Sequence, residues 1–222
     1  AAGFGQAAAC HAGWRLFAPD APAVTDVQGT IFKNDAPATV WRWATPARHV
    51  SRLQGGLVMC TLCPHRCRLA PGDRSICRSR VNVDGTLYSL AYGNACAVNL
   101  DPVEKKPLFH FMPGSRALSI AAAGCNFRCL NCQNWEISQA RPEDVRHTEL
   151  FPQQVVAAAE ASSSQSIAYT YSEPTTFYEY MIDTAGIDDK GELGQKRVAR
   201  SRSIIKHIPL ALLSFFSVLH NA

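Results

Sequence analysis

The chain has 222 residues, is 47% hydrophobic and carries a formal net charge of +4. That is enough apolar material for one large domain or one medium domain with appendages, while Lys and Arg are scattered rather than set in a stripe, which argues against a nucleic-acid partner. No apolar run reaches the ~18–20 residues a membrane-spanning helix needs.

Residues 1–56 form an N-terminal extension rich in Ala and Pro, with little regular structure expected beyond a short strand or helical turn at Thr39 to Trp43. Ala1 to Cys10 is small and Ala-rich, as the end of a signal segment can be, and Ala7, Ala8 and Ala9 before Cys10 resemble a lipoprotein cleavage site. Export is therefore the alternative to a cytoplasmic location.

Residues 57–116 are expected to be a Cys-rich module followed by β structure. Cys60, Cys63, Cys67 and Cys77 fall within eighteen residues punctuated by Pro64, Pro71 and Gly72, a loop rather than a helix. Cysteines two or three residues apart ligate metals far more often than they cross-link to each other. Four thiolates close a coordination sphere, so zinc and an auxiliary iron–sulfur cluster both fit. His65 is a substitute ligand. Arg66, Arg68, Arg74, Arg78 and Arg80 would offset the negative charge of the thiolates. From Val81 to Val98 the alternation of Val81, Val83, Leu87, Tyr88, Leu90 and Tyr92 around Asp84-Gly85 predicts a hairpin. Cys10 and Cys96 are read as non-ligands, Cys96 as a buried core thiol.

Residues 117–185 follow a strand–loop–helix–strand–helix rhythm. Ala117 to Ala121 is a short buried strand ending near Gly124. Pro152 to Ala161 is a helix with Pro in its first turn and Val155, Val156 and Ala159 on its buried face. Ser166 to Tyr171 is a strand, and Pro174 to Ala185 a helix carrying Phe177, Tyr180 and Met181 on one side. The fold class is α/β, of the kind that builds barrels or open parallel sheets. Residues 186–222 change character: polar to Gln195, basic from Lys196 to Lys206, apolar from Ile208 to Leu219.

Between the first strand and the first helix stands Cys125-x3-Cys129-x2-Cys132. Three thiolates on one short loop suit three irons of a cubane cluster and leave the fourth iron open to a ligand. The plainer alternatives are a zinc site completed from elsewhere, or three thiols packed as small apolar groups. Position favours the cluster, because α/β folds place their chemistry just past the C-terminal ends of strands.

The stretch Ala123-Gly124-Cys125-Asn126-Phe127-Arg128-Cys129-Leu130-Asn131-Cys132-Gln133-Asn134-Trp135 strongly resembles the radical S-adenosylmethionine (SAM) enzymes related to pyruvate formate-lyase activating enzyme. Within them it is most similar to the branch called the AmmeMemoRadiSam-system radical SAM protein. Cys60-Thr61-Leu62-Cys63-Pro64-His65-Arg66-Cys67, Asp101-Pro102-Val103-Glu104-Lys105-Lys106-Pro107-Leu108 and Ala168-Tyr169-Thr170-Tyr171-Ser172-Glu173-Pro174-Thr175 resemble that branch too. The resemblance covers roughly Met59 to Ala185.

It implies a [4Fe–4S] cluster on Cys125, Cys129 and Cys132 whose open iron chelates SAM. One electron passes to the sulfonium, and the carbon–sulfur bond breaks to methionine and a 5′-deoxyadenosyl radical, which abstracts hydrogen from a substrate. It also implies an external one-electron donor such as flavodoxin or ferredoxin, a protein or small-molecule substrate that the resemblance does not name, and activity as an oxidoreductase of the glycyl-radical activating type. Glu173, and with it Ser172, would contact the SAM amino group; without the resemblance, Ser-Glu there reads as a helix cap. Asn131 stands where many members carry an aromatic residue near the adenine, so stacking would be lost and backbone contacts kept. No further catalytic residue is assigned.

A complete barrel runs to ~200 residues or more, whereas 90 residues follow Cys132. The expected architecture is therefore an incomplete radical SAM partial (βα) barrel behind the N-terminal Cys-rich module, its tail the product of truncation or a frameshift. The alternatives in function are a non-catalytic remnant and a structural zinc-binding module.

Overall fold

A computed structural model describes residues 42–187. The expectations for Cys10 and the leader-like start, for most of Thr39 to Trp43, and for the tail beyond Ile187 lie outside the described residues. Four short strands come first: β1 (Thr45–Pro46), β2 (Val50–Arg52), β3 (Val58–Cys60) and β4 (Arg68–Leu69). β5 (Arg80–Val83) and β6 (Thr86–Ser89) then form the hairpin expected at Asp84-Gly85. Asp84 and Gly85 both have positive φ, at 46° and 82°, the backbone that matches a two-residue turn to the twist of its strands.

β7 (Asn94–Ala95), β8 (Ala97–Pro102) and β9 (Arg116–Ala121) follow, then α1 (Trp135–Ser138), β10 (Thr148–Glu149), α2 (Pro152–Ala161), β11 (Ser166–Tyr169) and α3 (Tyr178–Ala185). The expected helix Pro174 to Ala185 begins as a 3-10 turn, Pro174–Phe177, before becoming α-helical. The strands form four small sheets: β1-β6-β5, β2-β3-β4, β10-β7 and β11-β9-β8. The last sheet positions the site. β9 runs parallel to β11, with Leu118 opposite Ile167 and Ile120 opposite Tyr169, and antiparallel to β8.

β8 is not expected from the sequence, which takes β structure only as far as Val98. Its polar side chains have partners across the sheet. Asp101 accepts from Ser119 Oγ at 2.7 Å and from Tyr171 OH at 2.7 Å, and Lys106 Nζ adds a third bond at 2.7 Å. A strand whose polar residues are satisfied by tertiary neighbours carries no apolar alternation to announce it.

From Ala117 to Ala121 β9 is buried at every position, as a strand covered on both faces must be. Leu118 and Ile120 pack with Val155 and Ala159 of α2 and with Phe177, Tyr180 and Met181 of the last helical segment. Each large apolar side chain fully buried there stabilises the fold by about 1.5–3 kcal/mol. α2 starts where Pro152 and the Gln154 side chain require: Gln154 Oε1 accepts the Phe151 N–H at 2.7 Å. A second apolar cluster holds Trp43, Val81 and Leu90, and a third holds Cys60 among Ala47, Val58, Leu69 and Leu87.

The expected modules 57–116 and 117–185 share an interior. β8 of the first pairs with β9 of the second, and Arg80 of β5 forms a fully buried ion pair with Glu179 of α3, Nη1 to Oε1 at 3.1 Å and Nη2 to Oε2 at 2.6 Å. Among the described residues, no helix is long and apolar enough to cross a membrane.

Candidate functional site

The loop carrying Cys125, Cys129 and Cys132 leaves the C-terminal end of β9 through Ala122, Ala123 and Gly124, all buried. Three contacts fix it. The Gly124 N–H donates to Ile137 O at 2.9 Å, Thr176 Oγ1 donates to Gly124 O at 3.3 Å, and Ser172 Oγ donates to Ala122 O at 2.6 Å. Gly124 has φ +95°, and a Cβ there would stand 2.5 Å from the Cys77 carbonyl oxygen. Only glycine permits both that backbone and that approach.

Cys125 is buried, while Cys129 and Cys132 are half-buried. Burial pushes the Cys125 thiol up; the N–H groups of Phe127 and Glu173 pull it down, and the Glu173 carboxylate and Cys129 push it up again. The Phe127 N–H lies 3.4 Å from Cys125 Sγ. Cys132 Sγ lies 3.4 Å from Ser138 Oγ at the end of α1. Asn131 is exposed, and so are its neighbours Leu130 and Trp135.

Ser172 and Glu173 sit in the turn after β11, the parallel neighbour of β9, and both are buried. The Ser172 hydroxyl is engaged in holding the loop, as given above. Glu173 Oε1 accepts from Thr175 Oγ1 at 2.6 Å and from Thr175 N at 3.4 Å, capping the 3-10 turn. The capping role open to this pair in the sequence is therefore occupied.

Cys60, Cys63, Cys67 and Cys77 all line one cavity. The Cys60 N–H donates to Cys67 O at 2.9 Å and the Arg66 N–H to Cys63 O at 3.2 Å, which folds the loop after β3 back so that Cys63 and Cys67 return toward Cys60. Cys77 Sγ lies 3.0 Å from Ser75 Oγ and 3.3 Å from Ser79 Oγ. Burial pushes the Cys60 thiol up, against the Leu62 N–H and the Arg80 charge. Of the five arginines expected to offset this group, Arg80 is the one that lines the cavity. Arg74 is paired with Glu143, and Arg66 and Arg68 are exposed. His65 also lines this cavity, and its Nε2 lies 2.8 Å from Asn126 O on the other cysteine loop.

The same cavity is lined by Asn126, Thr175 and Thr176. Through Asn126 it reaches the loop of the second cysteine group, although Cys125, Cys129 and Cys132 do not line it. The sequence does not single out Glu179 or Thr176 as site residues, since Glu179 meets Arg80 and Thr176 meets Gly124 only across distant stretches of the chain. All eight cysteines among the described residues are free thiols. Among those residues, no three His, Cys, Asp or Glu side chains gather closely enough to hold a single metal ion. The donor set of the Cys125 loop nonetheless suits iron: soft sulfur ligands on a short loop, backbone N–H groups directed at the buried sulfur, and a close backbone approach that a Cβ would block.

No protein-family model matches the chain. It is 42% identical over 167 residues to an uncharacterized protein of Methanocaldococcus jannaschii, an alignment covering 75% of this chain and 50% of that protein. The chain thus spans about half the length of the curated relative it matches. No solved structure matches it significantly.

Proposed function

We propose that the chain carries the cluster- and SAM-binding part of a radical SAM enzyme, built on the beginning of a partial (βα) barrel. The observation that carries this reading is that the Cys125 loop leaves the end of β9 braced by Ser172 and Thr176, which follow the adjacent parallel strand β11. Cys125, Cys129 and Cys132 would hold a [4Fe–4S] cluster. When bound, that cluster supplies the electron that cleaves SAM to methionine and a 5′-deoxyadenosyl radical.

The protein's own residues bind, orient and exclude water. Glu173 would accept the SAM amino group by a charge-assisted hydrogen bond, while Thr175 holds that carboxylate in place. Ser172 and Thr176 keep the loop backbone fixed against the sheet. Asn131 is exposed on the cysteine loop, where backbone contacts to an adenine would replace stacking. An activase-like role on a protein or small-molecule substrate, with reduction by a flavodoxin- or ferredoxin-type donor, follows from the family resemblance. Free thiols throughout the described residues favour a reducing, cytoplasmic setting.

The test is oxygen-free reconstitution of the full chain with iron and sulfide. The reduced protein should give a [4Fe–4S] electron paramagnetic resonance signal that changes on adding SAM, and it should release 5′-deoxyadenosine. A cluster that binds SAM without cleaving it marks a non-catalytic remnant. Zinc at the Cys125 loop, with no iron taken up, overturns the reading.

A further inference from the structure

We propose that Cys60, Cys63, Cys67 and Cys77 hold a second metal centre, closed by four thiolates and partnered by the buried guanidinium of Arg80. The ligand is a thiophilic metal: one zinc ion, or one iron–sulfur cluster with protein sulfur on every iron. The proposal stands apart from the reading of Cys125, Cys129 and Cys132.

Three observations meet at this cavity. The first is convergence. Seventeen positions separate Cys60 from Cys77, yet all four sulfur residues line one space, because the Cys60 N–H to Cys67 O bond folds the first three back while Cys77 arrives on the loop before β5. No three of them are gathered to ligand spacing among the described residues, so metal binding would draw the sulfurs together across that space.

The second is Arg80. Its side chain is 0% exposed. Both Nη atoms are used by Glu179, but Nε has no hydrogen-bond partner among the described residues. A buried N–H donor without an acceptor is costly and calls for a partner. Arg80 lines a cavity walled by sulfur. A metal-bound thiolate is an anionic acceptor for that proton, whereas a neutral thiol is a weak one. Four thiolates on a divalent metal leave net negative charge, and a buried cation offsets it.

The third is the hydroxyl pair. Ser75 Oγ and Ser79 Oγ flank Cys77 Sγ at 3.0 and 3.3 Å, and either can donate to a thiolate. Groups of this kind orient metal ligands and tune their basicity. Cys60 also packs in an apolar cluster with Val58, Leu69 and Leu87, so the centre would be shielded from water on that side.

The centre would also brace the neighbouring loop. Cys77 O is the atom against which Gly124 closes, and His65 Nε2 reaches Asn126 O. Both contacts run from residues within the first cysteine group to the loop that carries Cys125.

The test is metal analysis of the full chain, prepared without oxygen, in wild type and in a variant with Cys125, Cys129 and Cys132 all changed to Ala. The triple variant should retain about one zinc, or about four irons with matching sulfide, per chain. An iron signal in it should not respond to SAM, since every iron already has its thiolate. Adding Cys63→Ala and Cys67→Ala should remove the metal, and Cys96→Ala should leave it in place. Arg80→Lys, which keeps the charge and loses the Nε donor, should weaken metal retention against a chelator by roughly 10–100-fold. Metal absent from a folded triple variant, or unaffected by loss of Cys63 and Cys67, overturns the proposal. Should the triple variant not fold, wild type decides: metal amounting to a single SAM-responsive four-iron cluster, with neither zinc nor further iron, overturns it as well.

Discussion

The carbonyl oxygen of Cys77 closes on Gly124 so tightly that a Cβ at residue 124 would lie 2.5 Å from it. Two cysteine loops that are separate in the sequence therefore touch backbone to backbone, with no side chain between them. Gly124→Ala should meet both this clash and the cost of φ +95°. We expect a loss of about 2 kcal/mol or more of stability, read by urea denaturation, together with lower iron content after reconstitution. Unchanged stability and iron content would show that the contact does not constrain the loop.

Arg80 and Glu179 form a buried ion pair between β5 and α3. Removing one partner leaves a buried charge unpaired, so Arg80→Ala should destabilise the fold by about 3–5 kcal/mol. Replacing the pair with Arg80→Met and Glu179→Leu should recover much of that loss. A double-mutant cycle of urea unfolding measures the coupling; a cycle that sums to zero contradicts it.

Acid should unfold the protein through Asp101 and Glu179. Burial works against the charge of Asp101, but bonds from Lys106, Lys105, Tyr171 and Ser119 outweigh it and hold the carboxyl well below the usual carboxylate range. Glu179 is likewise held below its ordinary value, burial being overcome by Arg80 and by the Arg48 N–H. A carboxyl whose folded-state pKa is depressed adds stability that is fully present above its unfolded value, about 4, and is lost as pH falls toward the folded value. Stability should be flat near neutrality and drop below about pH 4. Asp101→Asn should cost about 1.5–3 kcal/mol at pH 7 and make the acid drop shallower. An equally steep drop in that variant would remove Asp101 from the account.

Cys129→Ala should abolish SAM cleavage, whereas Cys63→Ala should chiefly lower solubility. Glu173→Gln keeps the size of the side chain and removes its charge, so SAM binding to the reconstituted protein should weaken roughly 10–100-fold, the worth of a charge-assisted bond. Equilibrium titration followed by the cluster's spectrum measures this. Equal cleavage by wild type and Cys129→Ala would refute the assignment of that cysteine.

Local signals were legible where the chemistry is local. Asp84-Gly85 announces its hairpin because few residue pairs accept positive φ twice in succession. Pro152 with Val155 and Ala159 marks α2 by position and period. β8 escaped because Asn99 and Asp101 interrupt the apolar pattern, and they find partners only once β9 and Tyr171 lie beside them. Arg80 was one of five similar arginines in the sequence. Glu179, ninety-nine positions away, and the sulfur-lined cavity set it apart.

The sequence by itself determined the two cysteine spacings, the hairpin, and the succession of β9, α2, β11 and the last helical segment, because spacing, turn chemistry and periodicity are properties of neighbouring residues. The tertiary structure alone decided that the four cysteines of the first group line one cavity together with Asn126 of the second loop, that Ser172 holds the Cys125 loop from the turn after the neighbouring strand, and that a buried guanidinium faces the first group. Those relationships depend on which faces pack together, and packing is set by contacts between residues fifty to a hundred positions apart, which no local pattern records.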